Sequence, residues 1–293
     1  MTFGTVAILG PGLIGGSIAL ALAERGLAER LMIYARSPHA LDQIRTAGVD
    51  AELTGNPSEA VREADLVILC VPIEAMAGLV HEFRDALKPG ALVTDVGSVK
   101  GSVDRDLAPL LEDRALWIGS HPMAGSEQGG FVAARADLFE GAAVIITPTK
   151  QTRPEAEQRM EAFWEALGGR VLKLDPARHD VAVAQVSHVP HLLAAALVCH
   201  ASEEARELAG GGFRDTTRVA SGSPQLWVEI LSANSKAVAA ELEALIVHLK
   251  ALKSHFENSP PGVLKSALHG TLKAAHDARS KMTETNPLFK KRR

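Results

Sequence analysis

Three features of this sequence predict a doubly wound parallel α/β sheet followed by an all-helical C-terminal domain. The first is the opening Val6-Ala-Ile-Leu-Gly10-Pro-Gly12-Leu-Ile-Gly15, an apolar run whose glycines lead at once into an alanine- and leucine-rich helical pattern. The second is the alternation, up to about residue 150, of short apolar runs with helical stretches. The third is the loss of every strand pattern after Asp175-Pro176, where long Ala- and Leu-rich helices take over.

The expected strands are Thr5–Gly10, Leu31–Ala35, Leu66–Val71, Ala91–Val96, Leu116–Ser120 and Ala143–Thr147. Their nearly unbroken apolar character is that of strands buried on both faces of a parallel sheet. Helical patterns over Gly16–Arg25, His39–Ala47, Ser58–Ala64, Ile73–Leu87 and Ser102–Leu111 separate most of them, and this βαβα order means a doubly wound sheet. Gln151–Leu167 reads as a further helix and Arg170–Leu174 as one more strand. Ala177–Glu207, Ser223–Phe256 and Gly262–Met282 then read as long helices, broken at Gly210-Gly211-Gly212 and Asn258-Ser-Pro-Pro-Gly262. The boundary falls near residue 175, giving a dinucleotide-binding domain over 1–175 and a helical substrate-binding and dimerisation domain over 176–293. The stripe Ala239, Leu242, Leu245, Ile246 and Leu249 has the spacing of a core or subunit interface.

Composition sets the outer limits. A chain of 293 residues fits about two domains. Hydrophobic and charged contents of 46% and 23% are those of a soluble globular protein. A net charge of −4 gives no global basic field for nucleic acid, and the basic tail Lys290-Lys291-Arg292-Arg293 reads as a solvated terminus. No segment reads as a bilayer span, and the chain enters a strand too early for a signal peptide. Cys70 and Cys199, each in an apolar stretch, read as buried thiols in a reducing compartment. These points predict a cytoplasmic protein.

The glycine turn identifies the first domain as Rossmann-type. Gly10 permits the tight turn, Gly12 admits a pyrophosphate to the backbone, and Gly15 lets helix and strand lie close. With Leu13 and Ile14, these residues present main-chain N–H groups to the phosphates at the helix start. Ligands of such sheets sit beyond the carboxyl ends of the strands, so Val71 and Pro72 are expected beside the cofactor. The second strand ends Tyr34-Ala35-Arg36-Ser37, with no carboxylate for a ribose 2′-hydroxyl. Arg36 and Ser37 suit a 2′-phosphate instead, which favours NADP over NAD. The alternative is that Arg36 stacks on the adenine and either cofactor is accepted.

Three stretches carry candidate chemistry. In Asp95-Val-Gly-Ser98-Val-Lys100, Ser98 reads equally as a group meeting the nicotinamide or substrate and as the N-cap of the next helix. His121, in Ser120-His121-Pro122, lies just past the fifth strand on the ligand side, where an imidazole suits general-base work. Ser187-His188-Val-Pro190-His191 interrupts an apolar helix, and Gly210-Gly-Gly-Phe-Arg214-Asp-Thr-Thr-Arg218 offers guanidinium groups which, if buried, would recognise carboxylates. His121, His188 and His191 lack a cysteine or carboxylate at a familiar metal spacing, so no metal site is expected.

Taken in order, Gly-Pro-Gly-Leu-Ile-Gly-Gly-Ser, Asp-Val-Gly-Ser-Val-Lys, His-Pro-Met-Ala-Gly-Ser-Glu, Ser-His-Val-Pro-His and Gly-Gly-Gly-Phe-Arg-Asp-Thr-Thr-Arg resemble the prephenate and arogenate dehydrogenases of tyrosine biosynthesis. The motifs span residue 8 to about residue 230. The resemblance implies oxidative decarboxylation of a cyclohexadiene: hydride leaves C4 of the ring for the nicotinamide, and the ring carboxylate leaves as carbon dioxide. It implies that His121 takes or polarises the C4 hydroxyl proton and that Ser98 bonds the same region and orients His121. Arg218 would bind a substrate carboxylate, with His191, Arg214 and Trp227 nearby and Glu127 at the side-chain end. It also implies a homodimer built by the helical domain. NAD-using relatives place an Asp where this chain has Ala35, which again favours NADP. The pattern leaves no stretch for an appended regulatory or mutase domain, so a monofunctional enzyme is expected, with any tyrosine inhibition at the active site. Two other readings stand beside this one. A β-hydroxyacid dehydrogenase shares the architecture but relies on a lysine where this chain has His188-Val-Pro-His191. A non-catalytic nucleotide sensor would not need Ser98, His121 and Arg218.

Overall fold

The computed structural model describes residues 2–125 and 129–285. The strands β1 (Thr5–Leu9), β2 (Arg30–Tyr34), β3 (Glu52–Thr54), β4 (Leu66–Leu69), β5 (Leu92–Asp95) and β6 (Leu116–Trp117) form a parallel sheet in the order β3-β2-β1-β4-β5-β6. Helices α1 (Leu13–Arg25), α2 (Pro38–Thr46), α3 (Pro57–Val61), α4 (Ile73–Phe83) and α5 (Gly101–Leu111) make the crossovers. Successive side chains of a strand point to opposite faces. Val6 and Ile8 accordingly join one buried apolar cluster, while Ala7 and Leu9 join another on the opposite face. The order reverses between β1 and β4, which puts a ligand crevice at their carboxyl ends.

The expected fifth strand is two strands in two sheets. β6 stays beside β5, whereas β7 (Gly119–Pro122) turns away to pair antiparallel with β8 (Ala143–Thr147), which pairs parallel with β9 (Arg170–Lys173). The handover falls at Gly119. A Cβ there would stand 2.7 Å from the Thr147 hydroxyl and 3.3 Å from Lys100 Cδ, so only glycine lets the chain cross at this point. His121 therefore lies inside β7, opposite Ile145, and not in the loop beyond a strand. The three-residue edge strand β3 was not expected. Only Leu53 and Thr54 turn inward, which is too short a run to show alternation.

After α6 (Pro154–Ala166) and β9 the chain is helical. The expected helix over Ala177–Glu207 is instead α7 (Pro176–Val183), a π turn at Ala184–His188, α8 (Val189–His200) and α9 (Glu203–Glu207). Pro190 explains the π turn. It supplies no N–H, and its ring would crowd the carbonyl of Val186, so the preceding turn widens. Gly210 is not part of a break but the N-cap of α10 (Gly211–Thr217), which leads into a 3-10 turn at Arg218–Ser221. The expected helix Ser223–Phe256 divides at Asn234 into α11 (Pro224–Ala233) and α12 (Ser235–Asn258), and α13 (Pro261–Thr285) follows.

By compactness the division falls at Val238/Ala239, well past residue 175. α7 packs on α5 and β8, and α11 packs on α4, so both belong to the first unit. In the second unit, Ile246, Val247, Leu249, Phe256, Val263 and Leu272 are exposed, which removes the core reading of the α12 stripe. The run Pro176–His200 has the length and mean hydropathy (1.6) of a bilayer span, contrary to the expectation that no segment does. In this fold its His179, Asp180, His188 and His191 belong to the site described below. Cys199 is exposed, not buried, because it lies beyond the stripe Val189, His191 and Ala194 that α8 turns inward.

Candidate active site

The nucleotide cradle is made of main chain. Gly10 has φ +106°, and a Cβ there would lie 2.5 Å from the Cys70 carbonyl oxygen. A Cβ on Gly15 would lie 2.2 Å from the Gly10 oxygen. Gly12, the N-cap of α1, differs: nothing lies within 4 Å of its Cβ position, and no side chain caps the helix. Open space over uncapped N–H groups, including those of Leu13 and Ile14, fits a dinucleotide pyrophosphate. Val71 and Pro72 lie between β4 and α4 on the same edge. Arg36 and Ser37 follow β2, both exposed, and Ser37 is the N-cap residue of α2 without using its hydroxyl as a cap.

The second part of the candidate site begins at the end of β5. Asp95 and Lys100 form a fully buried ion pair, joined by a bond from Lys100 Nζ to the Ser120 carbonyl (2.8 Å). Asp95 also accepts the N–H groups of Gly97 (2.8 Å) and Ser120 (3.3 Å), and the Thr94 and Ser120 hydroxyls bond at 2.8 Å. These bonds fix the loop carrying Ser98 against the strand carrying His121. Ser98 is half-buried and is not the helix cap. Lys100 occupies that position, and Asp180, from α7, accepts the N–H groups of Lys100 (2.8 Å) and Gly101 (2.9 Å).

His121 is buried, with 8% exposure, and its Nδ1 lies 2.8 Å from His179 Nε2. His179 Nδ1 lies 2.9 Å from Asp180 Oδ1. Burial, reinforced by His179, Lys100 and His188, pushes His121 well below the ordinary histidine range, so it is neutral at pH 7. Burial also lowers His179, against the pull of Asp180. Burial alone would raise the Asp180 carboxyl, but the His179 bond and the two main-chain donors outweigh it and hold the group below its usual range. His179 and Asp180 were not among the residues singled out from sequence. Their only signal is an Arg-His-Asp triplet at the start of an apolar helix.

The helical side supplies an aromatic wall. His191 stacks on Trp227 with ring centroids 3.6 Å apart and planes 15° apart, and burial lowers it. Its Nδ1 is buried without a hydrogen-bond partner among the described residues, as expected of a group that meets a ligand. Gly222 leaves room for the stack, since a Cβ there would lie 2.7 Å from Trp227 Nε1. His188 is lowered to about 4 by burial, and its Nδ1 meets Asn234 at 3.1 Å. The guanidinium groups of the glycine segment are not buried. Arg214 is exposed and paired with Asp215 at 3.0 Å, and Arg218 is exposed at the start of its 3-10 turn. The glycine segment opens a short surface helix that carries Arg214, and Arg218 begins the turn that follows it. Glu127 and the tail Lys290–Arg293 lie outside the described residues. Among the described residues no group of three or more His, Cys, Asp or Glu is placed to hold a metal.

The family model for the nucleotide-binding domain of prephenate dehydrogenase matches residues 18–173, and the model for its dimerization domain matches residues 175–269. The chain belongs to the prephenate and arogenate dehydrogenase family. The cyclohexadienyl dehydrogenase of Zymomonas mobilis is 34% identical, across 94% of this chain and 99% of that protein. Among solved structures, prephenate dehydrogenase from A. aeolicus, in complex with hydroxyphenyl propionate and NAD+, is 30% identical with a TM-score of 0.85, covering 97% of this chain and 99% of that one. Synechocystis arogenate dehydrogenase is 31% identical with a TM-score of 0.81, covering 94% and 99%.

Proposed function

We propose that this member of the prephenate and arogenate dehydrogenase family oxidatively decarboxylates a prephenate-class cyclohexadiene, using NADP in preference to NAD. The observation that carries the reading is a buried, neutral His121 tied by Asp95 and Lys100 to the loop that bears Ser98. A nicotinamide dinucleotide bound over Gly12 supplies the hydride acceptor. His121 takes or polarises the C4 hydroxyl proton as hydride leaves C4, and Ser98 bonds the same hydroxyl and orients the imidazole. The C1–carboxylate bond then breaks, carbon dioxide departs, and aromatisation drives the reaction. Arg218 holds a substrate carboxylate, with Arg214 beside it. His191 and Trp227 line the ring pocket, and Glu127 borders the substrate side chain, which is pyruvyl in prephenate and alanyl in arogenate. His188-Val-Pro-His191 in place of a lysine disfavours a β-hydroxyacid dehydrogenase.

The NADP preference rests on Arg36 and Ser37 and on Ala35, which places no acid beside the ribose. We assign residues 1–175 to the cofactor and 176–293 to substrate contacts and a homodimer. The dimerization-domain match and the exposed Leu208, Val228, Val247 and Phe256 support that assignment. Both cysteines are free thiols, in keeping with a cytoplasmic enzyme. Side-by-side kinetics with prephenate and arogenate, each with NAD and NADP, test the proposal. Turnover of at least one substrate, with a lower KM for NADP, is expected; no turnover of either removes the reading.

A further inference from the structure

We infer that His179 and Asp180 are positioning residues that fix which nitrogen of His121 acts as the base. The inference rests on the assignment of His121 as base, and it follows from the direction of each hydrogen bond. Asp180 accepts main-chain N–H groups on both oxygens, from Lys100 at Oδ1 (2.8 Å) and from Gly101 at Oδ2 (2.9 Å). Its carboxyl is held below the usual range, so it is ionised and can only accept. His179 Nδ1, 2.9 Å from Asp180 Oδ1, must therefore carry a hydrogen. His179 is itself fully buried and lowered, hence neutral with one ring hydrogen, and its Nε2 is left as an acceptor. That atom faces His121 Nδ1 at 2.8 Å, so His121 Nδ1 carries the hydrogen and donates. The remaining nitrogen of neutral His121, Nε2, then has a bare lone pair for the substrate proton. A ring nitrogen's protonation is set by the bond its partner nitrogen makes, and here three residues set it in sequence.

The arrangement is braced from behind. Asn234, buried at the α11–α12 junction, donates to the Asp180 carbonyl (2.8 Å) and meets His188 Nδ1 (3.1 Å), which ties the end of the π turn to α7. The His121 and His179 rings meet edge to face at 5.1 Å, so neither can flip without opening the contact. The Asp180 carboxylate that docks α7 on the start of α5 is thus also the group that orders the imidazoles. A purely structural role would ask only that these buried polar atoms be satisfied, and would not fix the direction of the bonds.

The test is the side-chain nitrogen NMR spectrum of His121 in the full-length protein with NAD+ bound, for wild type, His179→Leu and His179→Gln. Wild type is expected to show Nδ1 protonated and Nε2 unprotonated. His179→Leu removes the acceptor, so the Nε2–H form should gain population. kcat should fall roughly tenfold or more, while KM for substrate and cofactor stays within about twofold. The glutamine of His179→Gln offers an acceptor oxygen and should restore the wild-type form and most of kcat. An Nε2–H form in the wild type overturns the inference, whether or not the variants fold. So does an unchanged His121 spectrum in His179→Leu. If the tautomer is as described but His121→Asn turns over normally, the base assignment falls while the ordering of the rings stands.

Discussion

The nucleotide cradle and the histidine relay are built by opposite means. The cradle is contiguous, Gly10 to Gly15, and it works through main chain: absent side chains make the turn, the open space and the close helix. The relay gathers side chains from the end of β5, from β7 and from α7, its two bonded imidazoles lying 58 positions apart in sequence. Glycines in the cradle act by having no side chain, which gives Gly10 its positive φ and leaves room at Gly12 and Gly15. Every member of the relay must be paired, because an uncompensated buried charge or polar group is costly. Damage to the relay should therefore cost stability as well as rate, while changes at the rim of the cradle should alter preference alone.

The largest expected effect lies at the Asp95–Lys100 pair. Lys100→Met leaves Asp95 buried without its cation, and breaking such a pair costs about 3–5 kcal/mol. Urea unfolding should show that loss with an unchanged m-value; a variant as stable as wild type would mean that the pair does not bind the Ser98 loop to β7. Acid stability comes next. His121, His179, His188 and His191 all lie below their ordinary values in the fold, so the unfolded chain binds more protons as pH falls. Stability should be intact above about pH 6.5 and decline below it. With His188 at about 4, that residue alone contributes a loss of roughly 3 kcal/mol by pH 4. A Tm that does not move between neutrality and pH 5 would show that these imidazoles are not buried neutral.

Smaller effects separate the two regions further. Arg218→Ala should raise KM for the cyclohexadiene, since a hydrogen bond to a charged group is worth roughly 1.5–3 kcal/mol. An unchanged KM would place the carboxylate elsewhere. Ala35→Asp at the cradle rim should weaken NADP relative to NAD by repelling a 2′-phosphate, with Tm unaltered. Equal NADP affinity in mutant and parent would refute the ribose-pocket assignment.

The same contrast decides what was legible in the sequence. Gly10-x-Gly12-x-x-Gly15 could be read because its physics is local, and the parallel strands because full burial leaves unbroken apolar runs. The split at Ile118-Gly119 could not, since its cause is a close approach to Thr147 and Lys100, residues distant in sequence. His121 was recognisable beside Pro122, but its partners were not. His179 and Asp180 stand in a helix whose apolar character hides them, and nothing local says that Asp180 caps α5. Pro190 did mark the interruption before α8, though not its π geometry. The exposure of Arg214 and Arg218 was not legible either, because Gly210-Gly211-Gly212 reads as a loop whereas Gly211 and Gly212 open a short surface helix.

The central claim is that neutral His121 is the base of a hydride-transfer reaction. The single-turnover rate of His121→Asn, with saturating prephenate and NADP, tests it most directly. The account predicts a fall of at least about a hundredfold with cofactor binding intact; a rate near that of the parent enzyme would contradict it.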